Sequence, residues 1–266
     1  MKNKQKLLLI VLSLAFVCIT ILAFGACNNT IQNKEQQIVE TLQFQKIEGK
    51  EEYRVMGIGT VSELDVVIPS TYNGLPVTEI GNSVFEGCSS LTSVVIGDSV
   101  TSIGDSAFDG CSSLTSVELP NSATSIGFRA FRNCSSLTSV KIPNSVTSIA
   151  DRAFNGCYSL TSVEIPNSVT SIGDSAFYNC YSLTSVKIPN SVTSIAYGAF
   201  LSCSGLTSVV IGDSVTSIGY SAFGSCSSLT SIKYRGTQED WNKISKDTSW
   251  DSNTYSYTIT YNYTGE

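Results

Sequence analysis

Seven cysteines stand 23 residues apart without one slip: Cys88, Cys111, Cys134, Cys157, Cys180, Cys203 and Cys226. The phenylalanines from Phe85 to Phe223 keep the same step three residues ahead, as do the columns Leu91 to Leu229 and Ile80 to Ile218. Such a register means that each copy makes the same contacts with its neighbours, which restricts the chain to a solenoid. One unit alone has few inward residues (Leu114, Val117, Leu119, Ile126 and Phe131) to set against an ordering cost of roughly 1–2 kcal/mol per residue. Stacked at the strand spacing of about 4.8 Å, the same side chains form one continuous core.

Two kinds of segment alternate inside a unit. Leu114-Thr-Ser-Val117-Glu-Leu119 carries β-branched residues with period-two alternation at its end, and reads as a strand paired in parallel with its copies. Pro120-Asn121, or Gly97-Asp98 in another unit, stops it in a turn. Thr101-Ser102-Ile103-Gly104 is a second short extended piece. Ser106 to Cys111 is expected to form a single helical or 3₁₀ turn ending near Gly110.

The regular repeats span 88–234, and both ends are expected to be capped. Residues 46–87 hold an N-terminal cap and an irregular first unit with a five-residue insertion between Pro69 and Val77. Residues 235–266 form the other cap. There Thr237-Gln-Glu-Asp240 is placed to open a short helix carrying Trp241 and Ile244, and Tyr255, Tyr257, Ile259, Tyr261 and Tyr263 alternate as in a strand.

The phrase C-S-S-L-T-S-V-x-I-P-x-S-V-T-S-I-G-x-x-A-F, recurring over about 64–234, closely resembles the BspA-like leucine-rich repeat. The segments V-I-P-S-T-Y-N-G-L-P-V-T-E-I and Y-R-G-T-Q-E-D-W resemble that family's flanking units. The resemblance implies a right-handed leucine-rich-repeat β-solenoid of parallel strands. It also implies a bacterial surface or secreted protein, since some members are implicated in adhesion to host matrix proteins and to other bacteria.

The N-terminus points to export. Lys2, Lys4 and Lys6 precede an apolar run from Leu7 to Phe24, which ends in Phe24-Gly25-Ala26-Cys27. Small residues just before a cysteine resemble a bacterial lipobox, with 1–26 removed as a signal peptide and Cys27 receiving lipid. The alternative is an uncleaved membrane helix, for which about 18 apolar residues is the lower limit. Polar residues 27–45 are then expected to act as a tether. Setting aside the three leading lysines moves the formal charge from −6 towards −9, and no basic patch stands out, which argues against nucleic acid. There is no histidine, so the usual general base, the commonest metal ligand and any Ser-His or Cys-His nucleophile pair are missing. Neither an enzyme, a cofactor nor a small-molecule substrate is expected.

Two columns remain as sites. The cysteines lack the paired two-to-four spacing of metal ligands and are expected to be buried packing residues rather than disulfides. Between the inward residues of each strand lies Val95, Glu118, Lys141, Glu164, Lys187, Val210 and Lys233, expected to point outward on eight strands. The alternating charges Glu118, Lys141, Glu164 and Lys187, with Lys233, serve either to keep register and solubility or to bind a protein ligand. Tyr158, Tyr178, Tyr181, Tyr197 and Tyr220 fall on turns. The expected function is a lipid-anchored surface protein that binds extracellular proteins of host matrix or cells. The alternative is a cell-envelope spacer without a specific ligand, which near-identical repeats favour. Varying positions such as Phe128-Arg129, Arg132-Asn133, Asp151-Arg152 and Tyr197-Gly198 favour binding.

Overall fold

The computed structural model describes residues 42–58 and 65–265. Within them the 23-residue register becomes two rows of parallel strands around one core. One row has nine strands. It runs from Ser93–Ile96 to Ser231–Tyr234, with Asp65–Ile68 before these and Thr258–Thr260 after. Val140 stands beside Val117 and Val163, one repeat away on each side. The return row is built of two-residue strands such as Ser125–Ile126 and Ser148–Ile149, paired in parallel at the same step. Threonine hydroxyls reinforce the stacking: Thr138 and Thr161 each donate to the threonine carbonyl one coil earlier, at 3.2 and 3.1 Å.

The segment between the return row and the cysteine is not the helical or 3₁₀ turn expected. Ala107, Asp109 and Cys111 donate N–H groups three residues back within their own coil. The intervening Ser106, Phe108 and Gly110 donate instead to Phe128, Ala130 and Arg132 of the next coil, each at 2.8 Å. Alternation of this kind needs a chain that reverses its handedness, and two positions per coil have positive φ. One column runs Ser83, Ser106, Arg129, Arg152, Ser175, Gly198, Ser221, and the other Gly87, Gly110, Asn133, Gly156, Asn179, Ser202, Ser225. Glycine and asparagine suit such positions, whereas serine and arginine are held there by the bonds to the neighbouring coil.

The phenylalanine column is fully buried, and its rings stack face to face at 5.0–5.5 Å with planes within 3–6° of parallel. Trp250 ends the stack: its ring meets Phe223 edge-on at 6.1 Å, and its carbonyl accepts the Phe223 N–H at 2.8 Å. Thr237 caps the helix Gln238–Lys243 as expected, its Oγ1 accepting the Asp240 N–H while the Asp240 carboxylate accepts the Thr237 N–H. The tyrosine-rich tail forms a strand only over Thr258–Thr260. Tyr257, Ile259 and Tyr261 nonetheless pack against the core, and Tyr257 donates its hydroxyl to Asp251 at 2.6 Å.

At the N-terminal end, an antiparallel pair Leu42–Lys46 and Tyr53–Ile58 lies on Leu75–Ile80. The first described residues, Leu42 to Gln45, expected as tether, are thus strand. Leu42 and Phe44 pack on the core while polar Gln43, Gln45 and Lys46 hide the pattern. The insertion after Pro69 is a hairpin of Thr71–Tyr72 against Leu75–Pro76, turning through Asn73 and Gly74 at φ +50° and +77°.

Candidate interaction surfaces

The column of alternating charge lies on the outside of the nine-strand row. Glu118 sits between buried Val117 and Leu119, and the same alternation exposes Lys141, Glu164 and Lys187, while Lys233 is half-buried. Backbone register sets Lys141 beside Glu118 on one side and Glu164 on the other. Among the described residues none of these side chains comes within 4.0 Å of an opposite charge. Exposed lysine and glutamate gain little by closing such a gap in water. The result is a strip of nine strands, one more than expected and about 38 Å long. An aromatic reaches it at one end, where the Lys233 ammonium lies 5.0 Å from the Tyr263 ring.

The cysteines are internal. From Cys111 to Cys226 all six are fully buried, and each Sγ donates to a phenylalanine carbonyl of the preceding coil, as Cys134 does to Phe108 at 3.2 Å. All seven described thiols are free. Burial pushes the Cys111 thiol up to about 12 and raises those of Cys134, Cys157, Cys180 and Cys226 as well. Because the thiolate is the nucleophile and the metal ligand, such groups are inert.

The third surface is the turn edge. Tyr158 stacks on Tyr181 at 5.2 Å and Tyr197 on Tyr220 at 5.7 Å, all four exposed. Between the coils of Arg132 and Leu201 a shallow groove of about 420 Å³ is lined by Arg132, Arg152, Asn155, Tyr178, Tyr197 and Leu201. Arg132 is anchored by Asp109, to which it donates from Nε at 3.0 Å and with which its second nitrogen pairs at 2.8 Å. Asp109 is buried, and among the described residues its Oδ1 accepts this hydrogen bond while Oδ2 has the ion pair but no hydrogen bond. Turn carboxylates have a structural part: Asp105 Oδ1 accepts the Phe128 N–H, and Asp151 Oδ1 the Asp174 N–H, both at 2.8 Å. The groove was visible in sequence only as a loss of repetition at Arg132, Arg152 and Tyr197. The Asp109–Arg132 pair was missed, although its signal was present as opposite charges 23 residues apart.

The repeat model described as BspA type leucine-rich repeat region matches in six copies, over 78–205 and 124–256. The chain belongs to the BspA-type leucine-rich repeat family. Among solved structures it is similar to the leucine-rich repeat protein of T. pallidum, at 35% identity over 71% of this chain and 88% of that one, with a TM-score of 0.67. A leucine-rich repeat protein of Bacteroides ovatus matches at 25% identity over 83% and 70%, with a TM-score of 0.60. No curated protein matches by sequence. Leucine-rich repeat proteins are generally binding scaffolds, and the resemblance read from the C-S-S-L-T-S-V phrase holds.

Proposed function

We propose that this BspA-type protein is exported, anchored through lipid on Cys27, and displayed at the bacterial surface, where its solenoid binds host matrix, host-cell or bacterial proteins. The leader and Cys27 lie outside the described residues, so the anchor is supported by the lysine-apolar-Ala26-Cys27 order alone. The observation that carries binding is a regularly stacked frame whose core columns repeat while exposed or half-buried turn positions such as Arg132, Arg152, Tyr178 and Tyr197 differ from coil to coil. Members of the family are bacterial surface proteins, in keeping with this reading. Glu118, Lys141, Glu164, Lys187 and Lys233 are the proposed face, a long strip of alternating charge able to lie along an extended partner.

Solid-phase binding of the detergent-purified full chain to matrix proteins, host cells and bacteria tests it. A variant with Glu118, Lys141, Glu164 and Lys187 all changed to Ser runs beside it. Saturable binding that this variant loses establishes the strip as the face; no saturable binding to any of them refutes adhesion. A Cys27→Ser chain that still incorporates labelled lipid refutes the anchor. The near-identity of the outer strand phrases supports a second reading, an envelope spacer without a ligand, which the binding panel also separates.

A further inference from the structure

The column directly after the core phenylalanines changes chemistry at every coil but the first step, where one acid follows another. It runs Glu86, Asp109, Arg132, Asn155, Tyr178, Leu201 and Gly224, from acid through base and amide to aromatic, aliphatic and nothing. The phenylalanine on one side and the cysteine three positions on do not change, and the backbone bonds that join the coils are the same at each step. Packing therefore does not ask for this variety.

The middle of the column forms the groove. At its first end Arg152 is exposed, and among the described residues no carboxylate lies within 4.0 Å of Arg152 or Arg129. The nearby Asp151 is engaged with the Asp174 N–H, and Asp109 with Arg132. Arg129 lies over the Phe128 ring at 4.5 Å. At the other end Tyr178, Tyr197 and Leu201 offer an aromatic and aliphatic wall. Tyr197 and Tyr220 cover one another's faces, so they present ring edges and one outer face, not an open platform for a sugar ring.

Resting on the protein-binding function above, we propose that this groove takes an extended peptide segment. Its carboxylate pairs with Arg152, and an apolar or aromatic side chain two or three residues away lies on Tyr178, Tyr197 and Leu201. The spacing follows from the coils. Arg152 and Leu201 are two steps apart, about 10 Å, and an extended chain covers that in about three residues at 3.3–3.6 Å each. Arginine supplies the fork geometry that fits a carboxylate, and tyrosine the amphipathic wall common at recognition surfaces.

The test is selection from a random octapeptide library displayed on phage, against the immobilised full chain in detergent. Enriched peptides are synthesised with a fluorophore and their affinities measured by polarisation. Peptides sharing an acidic residue and, two or three positions away, an apolar one are expected. Arg152→Gln and Tyr197→Ser should each weaken them ten-fold or more. Both substitutions are at exposed sites, and unchanged thermal melting by circular dichroism shows that the variants fold. Enriched peptides without the acidic residue, or indifferent to both variants, overturn the groove. So does an empty selection, or labelled heparin bound in an Arg152-dependent way in place of peptide. Matrix proteins or cells bound equally by these variants leave protein binding standing and remove only the groove; an unaltered chain that binds neither peptide, matrix protein nor cell removes both.

Discussion

Phe154 lies between Phe131 at 5.5 Å and Phe177 at 5.4 Å, whereas Phe85 at the start of the column has a stacked ring on one side only, Phe108 at 5.0 Å. Replacing either by leucine removes a similar apolar area from an equally buried site and reshapes it alike. Those contributions cancel in a comparison. What differs is one ring-on-ring contact, and stacked aromatic pairs contribute about 0.5–1.5 kcal/mol each beyond their area. Phe154→Leu is therefore expected to cost ~0.5–1.5 kcal/mol more than Phe85→Leu. Equilibrium guanidinium unfolding, followed by far-ultraviolet circular dichroism and summed over all transitions, measures the difference. In a solenoid the central change should also broaden unfolding, because the coils on either side lose their strongest coupling. Equal costs at the two sites, or a larger one at Phe85, would refute the claim that stacking between coils, and not burial within a coil, holds the column.

Alkali should unfold this protein. The thiols of Cys111, Cys134, Cys157, Cys180 and Cys226 are raised by burial, so above the unfolded value near 8.5 the native state holds protons that the unfolded state has released. Stability is then flat with respect to these groups below about pH 8 and falls by about 1.4 kcal/mol per thiol per pH unit above 9; a flat profile to pH 10 would contradict it. Arg132→Ala strands the buried Asp109 carboxylate and should cost ~1–3 kcal/mol, with Asp109→Asn in the same chain recovering part of it, as read by urea unfolding. Gly156→Ala and Gly110→Ala both force alanine to positive φ, at +76° and +75°. Only at 156 would the new Cβ fall 2.6 Å from Asn133 Oδ1. Gly110→Ala should cost about 1 kcal/mol and Gly156→Ala more, and melting temperatures in the reverse order would show that Asn133 simply moves aside.

Much of this was legible in the sequence, because a solenoid writes its contacts as a period. The columns of Phe131, Cys134 and Leu137 named the core, and the outward place of Glu118 and Lys141 followed from strand alternation between buried neighbours. Thr237 and Asp240 announced the capping helix for a purely local reason. The turns were misread because their conformation is imposed from the next coil. Arg129 and Ser106 have no local preference for positive φ and adopt it since their N–H groups bond to Asp151 and Phe128. The strand at Leu42 was hidden by polar residues on its open face. Trp250 escaped notice because it stands beyond the last repeat, where no period points to it.

Each coil offers the next one the same hydrogen-bonding edge, the same ring and the same thiol. A loss or gain of 23 residues anywhere between Cys111 and Cys226 would rejoin matching surfaces and leave both caps in place. Length is thus something that recombination between near-identical coding segments can alter without unfolding the product. The groove does not share that freedom. Its Arg152 and Leu201 lie two coils apart, so removing one coil between them shortens the reach by about 5 Å. Variants of different length would keep their stability while changing what they grip.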